Sequence, residues 1–207
     1  MAARNTKSYS KFTFDDLQNL GLETEVKDLF IGETIAPLRA SSWLIETLEK
    51  GADFSLNTEK AKSEFIIAPI LNELYQNNKS VFAVYSGFNF DVDKEKGLQG
   101  FCDFLLAKLP LNVVPRTPII AVVEAKLNDT LSAAVPQCAA EMYATRLWNE
   151  KKGEPLPTIY GAITTGTNWL FLRYKEGMTI EIDKQQYSYI QLEKLLGVWQ
   201  HIINQFK

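Results

Sequence analysis

The feature that most narrows the fold is the apolar run Ile119-Ile120-Ala121-Val122-Val123, introduced by Pro118 and closed by Glu124-Ala125-Lys126. An uninterrupted apolar run of strand length, rich in β-branched side chains, indicates a strand covered on both faces in the middle of a sheet. Side chains alternate along a strand, so Glu124 and Lys126 are expected on one side with Ile120 and Val122. Ala121, Val123 and Ala125 then point to the other side. A charged pair on a buried strand needs partners, because an isolated buried charge is expensive.

The surrounding sequence supplies the rest of a domain. Thr58 to Tyr75 reads as a helix, with Thr58 as its cap, Glu59 in the first turn and Pro69 weakening one turn inside it. Val81 to Asp91 and Leu98 to Leu109 read as strands joined by the charged turn Asp93-Lys94-Glu95-Lys96-Gly97, a connection short enough to require an antiparallel hairpin. A helix from about Leu131 to Trp148 follows the buried strand. Pro157 to Thr165 and Trp169 to Tyr174 make two more strands around Gly166-Thr167-Asn168, with a short strand from Met178 to Ile182 after them. The chain closes on an amphipathic helix bearing Leu192, Leu195, Leu196, Trp199, Ile202 and Ile203. Residues 1–56 read as a helical N-terminal extension, with one helix opening near Phe14 and a second starting after Pro37 and running through Ser41-Ser42-Trp43-Leu44 to Lys50, with a stop at Gly51. Residues 57–207 read as a single globular domain. The expected class is α/β: a central mixed β-sheet flanked by helices in αβββαβ order.

Composition removes several kinds of chemistry. With 207 residues, 46% hydrophobic and 23% charged, the chain has the balance of a globular domain and enough length for a real core. Its N-terminus is positively charged but lacks the apolar segment of a signal peptide, and no run is long and apolar enough to cross a bilayer, so a cytoplasmic protein without membrane contact is the expectation. Cys102 and Cys138 are too few for a disulfide framework and lack zinc-ligand spacing, and read as small buried apolar residues. The lone histidine, His201, falls in the C-terminal helix and reads as a surface or interface residue. Any chemistry must therefore fall to carboxylates and lysines. The net charge of −3 does not advertise nucleic-acid binding, although a local cleft or a bound cation can still be positive.

Asp103 interrupts an otherwise apolar strand, Gly100-Phe101-Cys102-Asp103-Phe104-Leu105-Leu106, next to the one ending in Glu124-Ala125-Lys126. Two carboxylates converging from adjacent strands form an oxygen-rich site suited to Mg²⁺, a hard cation that keeps several waters. An amine beside them can hold the attacking water or stabilise charge building on a phosphate. The plain alternative is that Glu124 and Lys126 fray into solvent and Asp103 sits at a turn.

The segments Gly100-Phe101-Cys102-Asp103-Phe104 and Val122-Val123-Glu124-Ala125-Lys126 resemble the D…ExK signature of the PD-(D/E)XK, or restriction-endonuclease-like, nuclease superfamily. The resemblance covers roughly Thr58 to Tyr174. It implies metal binding by Asp103 and Glu124, catalysis assisted by Lys126, and Mg²⁺ as cofactor with Mn²⁺ able to substitute. Glu64 matches a glutamate that many members carry on the first core helix, which makes it a further metal ligand. Gln137 matches a glutamine on the helix after the lysine, placed to orient the site or touch substrate. Cys102 stands where proline is usual, and Glu141 stands where a tyrosine would follow the glutamine. The implied function is hydrolysis of DNA phosphodiester bonds in restriction or repair, with RNA not excluded. The competing expectation is a non-catalytic member of the same fold that binds a nucleic acid or a protein. A homodimer through the C-terminal helix is left open.

Overall fold

The computed structural model describes residues 7–116, 118–127 and 130–207; the first six residues of the expected extension lie outside the described residues. A seven-stranded mixed sheet runs through the molecule in the order β1-β7-β6-β5-β4-β3-β2. Its strands are β1 (Glu23–Lys27), β2 (Phe82–Asn89), β3 (Phe101–Lys108), β4 (Ile119–Ala125), β5 (Ile159–Thr164), β6 (Asn168–Tyr174) and β7 (Thr179–Ser188). β4 pairs parallel with β5 and antiparallel with β3, and every one of its residues is buried, as its unbroken apolar run requires. The α/β class and the αβββαβ order are those expected.

Helices cover both faces. On one face lie α2 (Ser42–Gly51), the helix assembled from α3 (Glu59–Lys62), a π-helical stretch (Ser63–Ile67) and α4 (Ala68–Asn77), and α6 (Leu192–Asn204), which share a core with Val123, Tyr160 and Phe171. On the other face lie α1 (Phe14–Asn19) and α5 (Val135–Lys151), over Leu105, Val122 and Ile163. The α5 helix packs closely on β5 because residue 161 is glycine. A Cβ there would stand 2.5 Å from Met142 Sδ and 2.8 Å from Cys138 Sγ.

Three details depart from the sequence reading. The N-terminal part contributes β1, paired parallel with β7, as well as helices. The sequence Glu-Thr-Glu-Val-Lys is exposed along its whole length and has no apolar alternation to announce a strand. β7 runs on to Ser188 through Asp183-Lys184-Gln185-Gln186, polar residues that hid its second half. Ile120 does not share a side with Val122. Ala107 pairs with Ile119 and Leu106 with Ala121, which makes Ile120 the extra residue of a β-bulge and turns it into the core that holds Ala121 and Val123.

The two cysteines are free and buried, as expected. His201 is partly exposed at the edge of α6, where it pairs with Glu33 and meets the Phe30 ring edge-on. Among the described residues no helix is long and apolar enough to cross a membrane.

Candidate active site

The β3–β4 ladder carries its last pair at Phe104 and Val123, and just beyond it the strands part. Asp103 fills the opening: its Oδ2 accepts the Ala125 N–H at 2.8 Å, replacing the backbone partner that β4 would otherwise lack. On the opposite edge Lys126 N donates to Thr164 O at 2.7 Å, so the end of β4 is fixed from both sides. Downstream of the bulge the alternation is regular, and Glu124 shares the Val122 side, under α5.

There the expected pair has its partners. Lys126 Nζ donates to Glu124 Oε1 at 2.5 Å and to Gln137 Oε1 at 3.0 Å. Gln137 Nε2 in turn donates to Glu141 Oε1 at 3.1 Å. Glu124 is 3% exposed and Glu141 is fully buried, and the Oε2 atoms of both find no hydrogen-bond donor among the described residues. The two carboxyls act electrostatically on each other.

Crowding acids away from water sets their protonation. Burial, and then the Asp103 charge, push Glu124 up to about 7 despite the neighbouring amine. Burial and the Glu124 charge hold Glu141 well above the ordinary carboxylate range, and burial raises Asp103 although the Ala125 N–H and Lys126 oppose it. Burial alone would lower Lys126, yet the Glu124 carboxylate more than compensates and holds the amine above its usual value. Lys126 is therefore an ammonium at neutral pH.

The amine opens on a cleft of about 290 Å³, lined by Ser10, Phe12, Glu59, Lys126, Thr130 and Gln137 among others. Ser10 and Phe12 belong to an N-terminal segment tied down by the Tyr9 N–H to Gln99 O bond and by the Tyr9 hydroxyl on Phe90 O. Glu59 and Lys62, on α3, grip the chain just after β4 through Leu127 N at 3.3 Å and Leu127 O at 2.8 Å.

Of the residues singled out in the sequence, the structure brings together Asp103, Glu124, Lys126 and Gln137, and it leaves Glu64 apart. The Glu64 side chain is 53% exposed and pairs with Lys60 at 3.0 Å. Its assignment as a metal ligand followed from its place on the first core helix, read as a regular helix. Residues 63–67 instead form a π-helical stretch, whose wider turn changes the direction in which Glu64 projects. The glutamate of this helix that acts electrostatically on Asp103 and Lys126 is Glu59.

Sequence reasoning read Glu59 only as a first-turn charge and Glu141 only as a departure from a pattern. The available signal for Glu141 was its place one helical turn after Gln137, amid the apolar Cys138-Ala139-Ala140 and Met142.

Asp103 and Glu124 offer the hard oxygen donors that Mg²⁺ prefers, and the buried, donorless Oε2 of Glu124 suits a cation. Among the described residues no group of three or more acidic, histidine or cysteine side chains is arranged to hold an ion. The residues that would hold such an ion are Asp103 and Glu124.

No protein-family model matches the sequence, and no curated protein matches it. Among solved structures the chain is similar to the type IIG restriction endonuclease BpuSI, with 14% identity and a TM-score of 0.43 over 66% of this chain. The matched region spans 15% of the length of that endonuclease.

Proposed function

We propose that this chain is a Mg²⁺-dependent nuclease that hydrolyses DNA phosphodiester bonds, with a role in restriction or repair. The observation that carries the reading is the convergence of Asp103, Glu124 and Lys126 at the parted ends of β3 and β4, with one Glu124 oxygen buried and lacking a donor among the described residues. A Mg²⁺ or Mn²⁺ held by Asp103 and Glu124 would supply Lewis acidity toward the phosphate and lower the pKa of a water.

The remaining work falls to the chain's own groups. Lys126, kept charged by Glu124, donates to a phosphate oxygen as negative charge develops. An amine that keeps its proton at neutral pH makes a poor general base, so its role is electrostatic. Gln137 restrains the amine through Oε1, while Asp103 keeps the two strand ends at a fixed separation by holding Ala125 N–H. Burial of Glu124 and Gln137, and partial burial of Asp103 and Lys126, limits water around these groups, which strengthens their field.

A second reading has its own support. Lys126 already neutralises Glu124, and a closed ion pair of this kind also suits a non-catalytic member of the fold that binds a nucleic acid or protein partner.

Nicking of supercoiled plasmid separates the two. The nuclease reading expects Mg²⁺-dependent cleavage that falls by about 100-fold or more in Asp103→Ala, Glu124→Ala and Lys126→Ala, the scale of losing one preorganised electrostatic group. It also expects Mg²⁺ to raise the melting temperature of the wild type but not of the two carboxylate variants. Absence of cleavage on double-stranded, single-stranded and branched DNA would favour the binding role.

A further inference from the structure

Lys126 is held by a relay that continues into α5. A primary amide has a donor end and an acceptor end, and its neighbours decide which end points where. Lys126 can only donate, so it needs the amide oxygen of Gln137, which lies 3.0 Å from Nζ. Glu141 supplies the complementary acceptor: its Oε1 takes the Gln137 Nε2–H at 3.1 Å, one turn further along the helix. Gln137 is 8% exposed and Glu141 fully buried, so water competes poorly for either.

Packing does not explain a glutamate at this position. A buried carboxyl costs free energy that a leucine of similar size would not, and Glu141 Oε2 gains no donor in return among the described residues. Its neighbours on the inner face of α5, Cys138, Ala139, Ala140 and Met142, are small or apolar.

We propose that Glu141 is a positioning residue of this site: by accepting the Gln137 Nε2–H it turns the amide oxygen toward Lys126 and aims the amine into the cleft. Its part in catalysis rests on the nuclease reading, whereas the relay itself exists without metal or substrate. The residue acts through Gln137, and removing either partner should release the same constraint.

The test uses the full chain and the variants Glu141→Leu, Glu141→Gln and Gln137→Leu, alone and combined. In Glu141→Leu the Gln137 side-chain amide protons, followed by NMR without metal, should lose their protection from exchange. Glu141→Gln, which keeps an acceptor oxygen, should restore it. In Mg²⁺-dependent plasmid nicking, Glu141→Leu should lower kcat by about 10- to 100-fold with KM little changed, the usual cost of removing a supporting hydrogen bond. Glu141→Gln should recover most of that loss, and Glu141→Leu combined with Gln137→Leu should be no worse than Gln137→Leu alone.

Protected Gln137 amide protons in Glu141→Leu would overturn the relay. Fully additive losses in the double variant, or equal losses in the leucine and glutamine variants, would overturn action through Gln137. A wild-type chain that cuts no DNA sinks the nuclease reading separately, since the NMR arm still decides whether Glu141 orients Gln137.

Discussion

The two long helices on opposite faces of the sheet bury their residues in different ways. α6 covers one face with Leu195, Leu196, Val198, Trp199, Ile202 and Ile203, and Trp199 meets Trp169 and Phe171 edge-on. α5 covers the other and carries a buried polar stripe at every fourth residue: Gln137, Glu141, Thr145 and Asn149. The ends of that stripe differ again. Asn149 spends both ends of its amide on Ile119, donating to the carbonyl and accepting the N–H, each at 2.9 Å, and so anchors the start of β4. At the other end of β4, Glu141 and Glu124 each keep a buried oxygen without a donor among the described residues. Nothing in the structure explains the Thr145 hydroxyl between them, which also lacks a partner among the described residues.

The difference teaches that burial of a polar group does not by itself mark a site. Asn149 uses both ends of its amide and reads as structure, as does Glu73, whose carboxylate accepts both the N–H and the hydroxyl of Ser41. Glu124 and Glu141 keep capacity to bind something else. Stability should therefore fall when Asn149 is removed, and rise when a buried carboxyl without a donor is replaced by a neutral group.

The largest effect is expected on the apolar side. Trp199→Ala should cost about 3–5 kcal/mol in denaturant unfolding, because a fully buried ring leaves a cavity. Asn149→Ala should come next, at about 2–3 kcal/mol, since it strands a buried N–H and C=O of Ile119 while leaving Mg²⁺-induced stabilisation intact. A neutral outcome there would break the contrast between the two ends of α5.

Glu124→Gln should act in the opposite direction and depend on pH. The folded pKa of Glu124, about 7, lies above its ordinary value of 4.5, so between these values the native state holds a proton that the unfolded chain has released. Native stability consequently declines as pH rises through that window, and the glutamine variant escapes the decline. Metal-free melting curves should show the variant gaining on the wild type from pH 5 to pH 8, and a constant difference would contradict this account of Glu124. The smallest effect is expected at Glu64, where Glu64→Ala should change stability by no more than about 0.5 kcal/mol and leave cleavage unaltered, as befits a solvent-exposed pair with Lys60.

Much of this arrangement was legible in the residues. The apolar run of β4, the hairpins around Gly97 and Gly166 and the amphipathic α6 each carry a periodic signal strong enough to determine their element, and together they imply the αβββαβ order. Asp103, Glu124 and Lys126 stood out because each is charged in an otherwise apolar segment, and Gln137 through its match to the family pattern. β1 was invisible, because an edge strand that is exposed on both faces needs no alternation. Glu64 lies apart from the other site residues, on a π-helical stretch that leaves no mark in composition.

Sequence by itself determined which segments are buried and where charges interrupt them, since solvent exclusion acts on residues in chain order. Tertiary structure alone decided which of those charges meet. The bulge at Ile120, the parting of β3 from β4 and the closeness of α5 to β5 place Glu141 beside Glu124 and Lys126, and a hydrogen bond depends on tenths of an ångström that spacing along the chain does not encode.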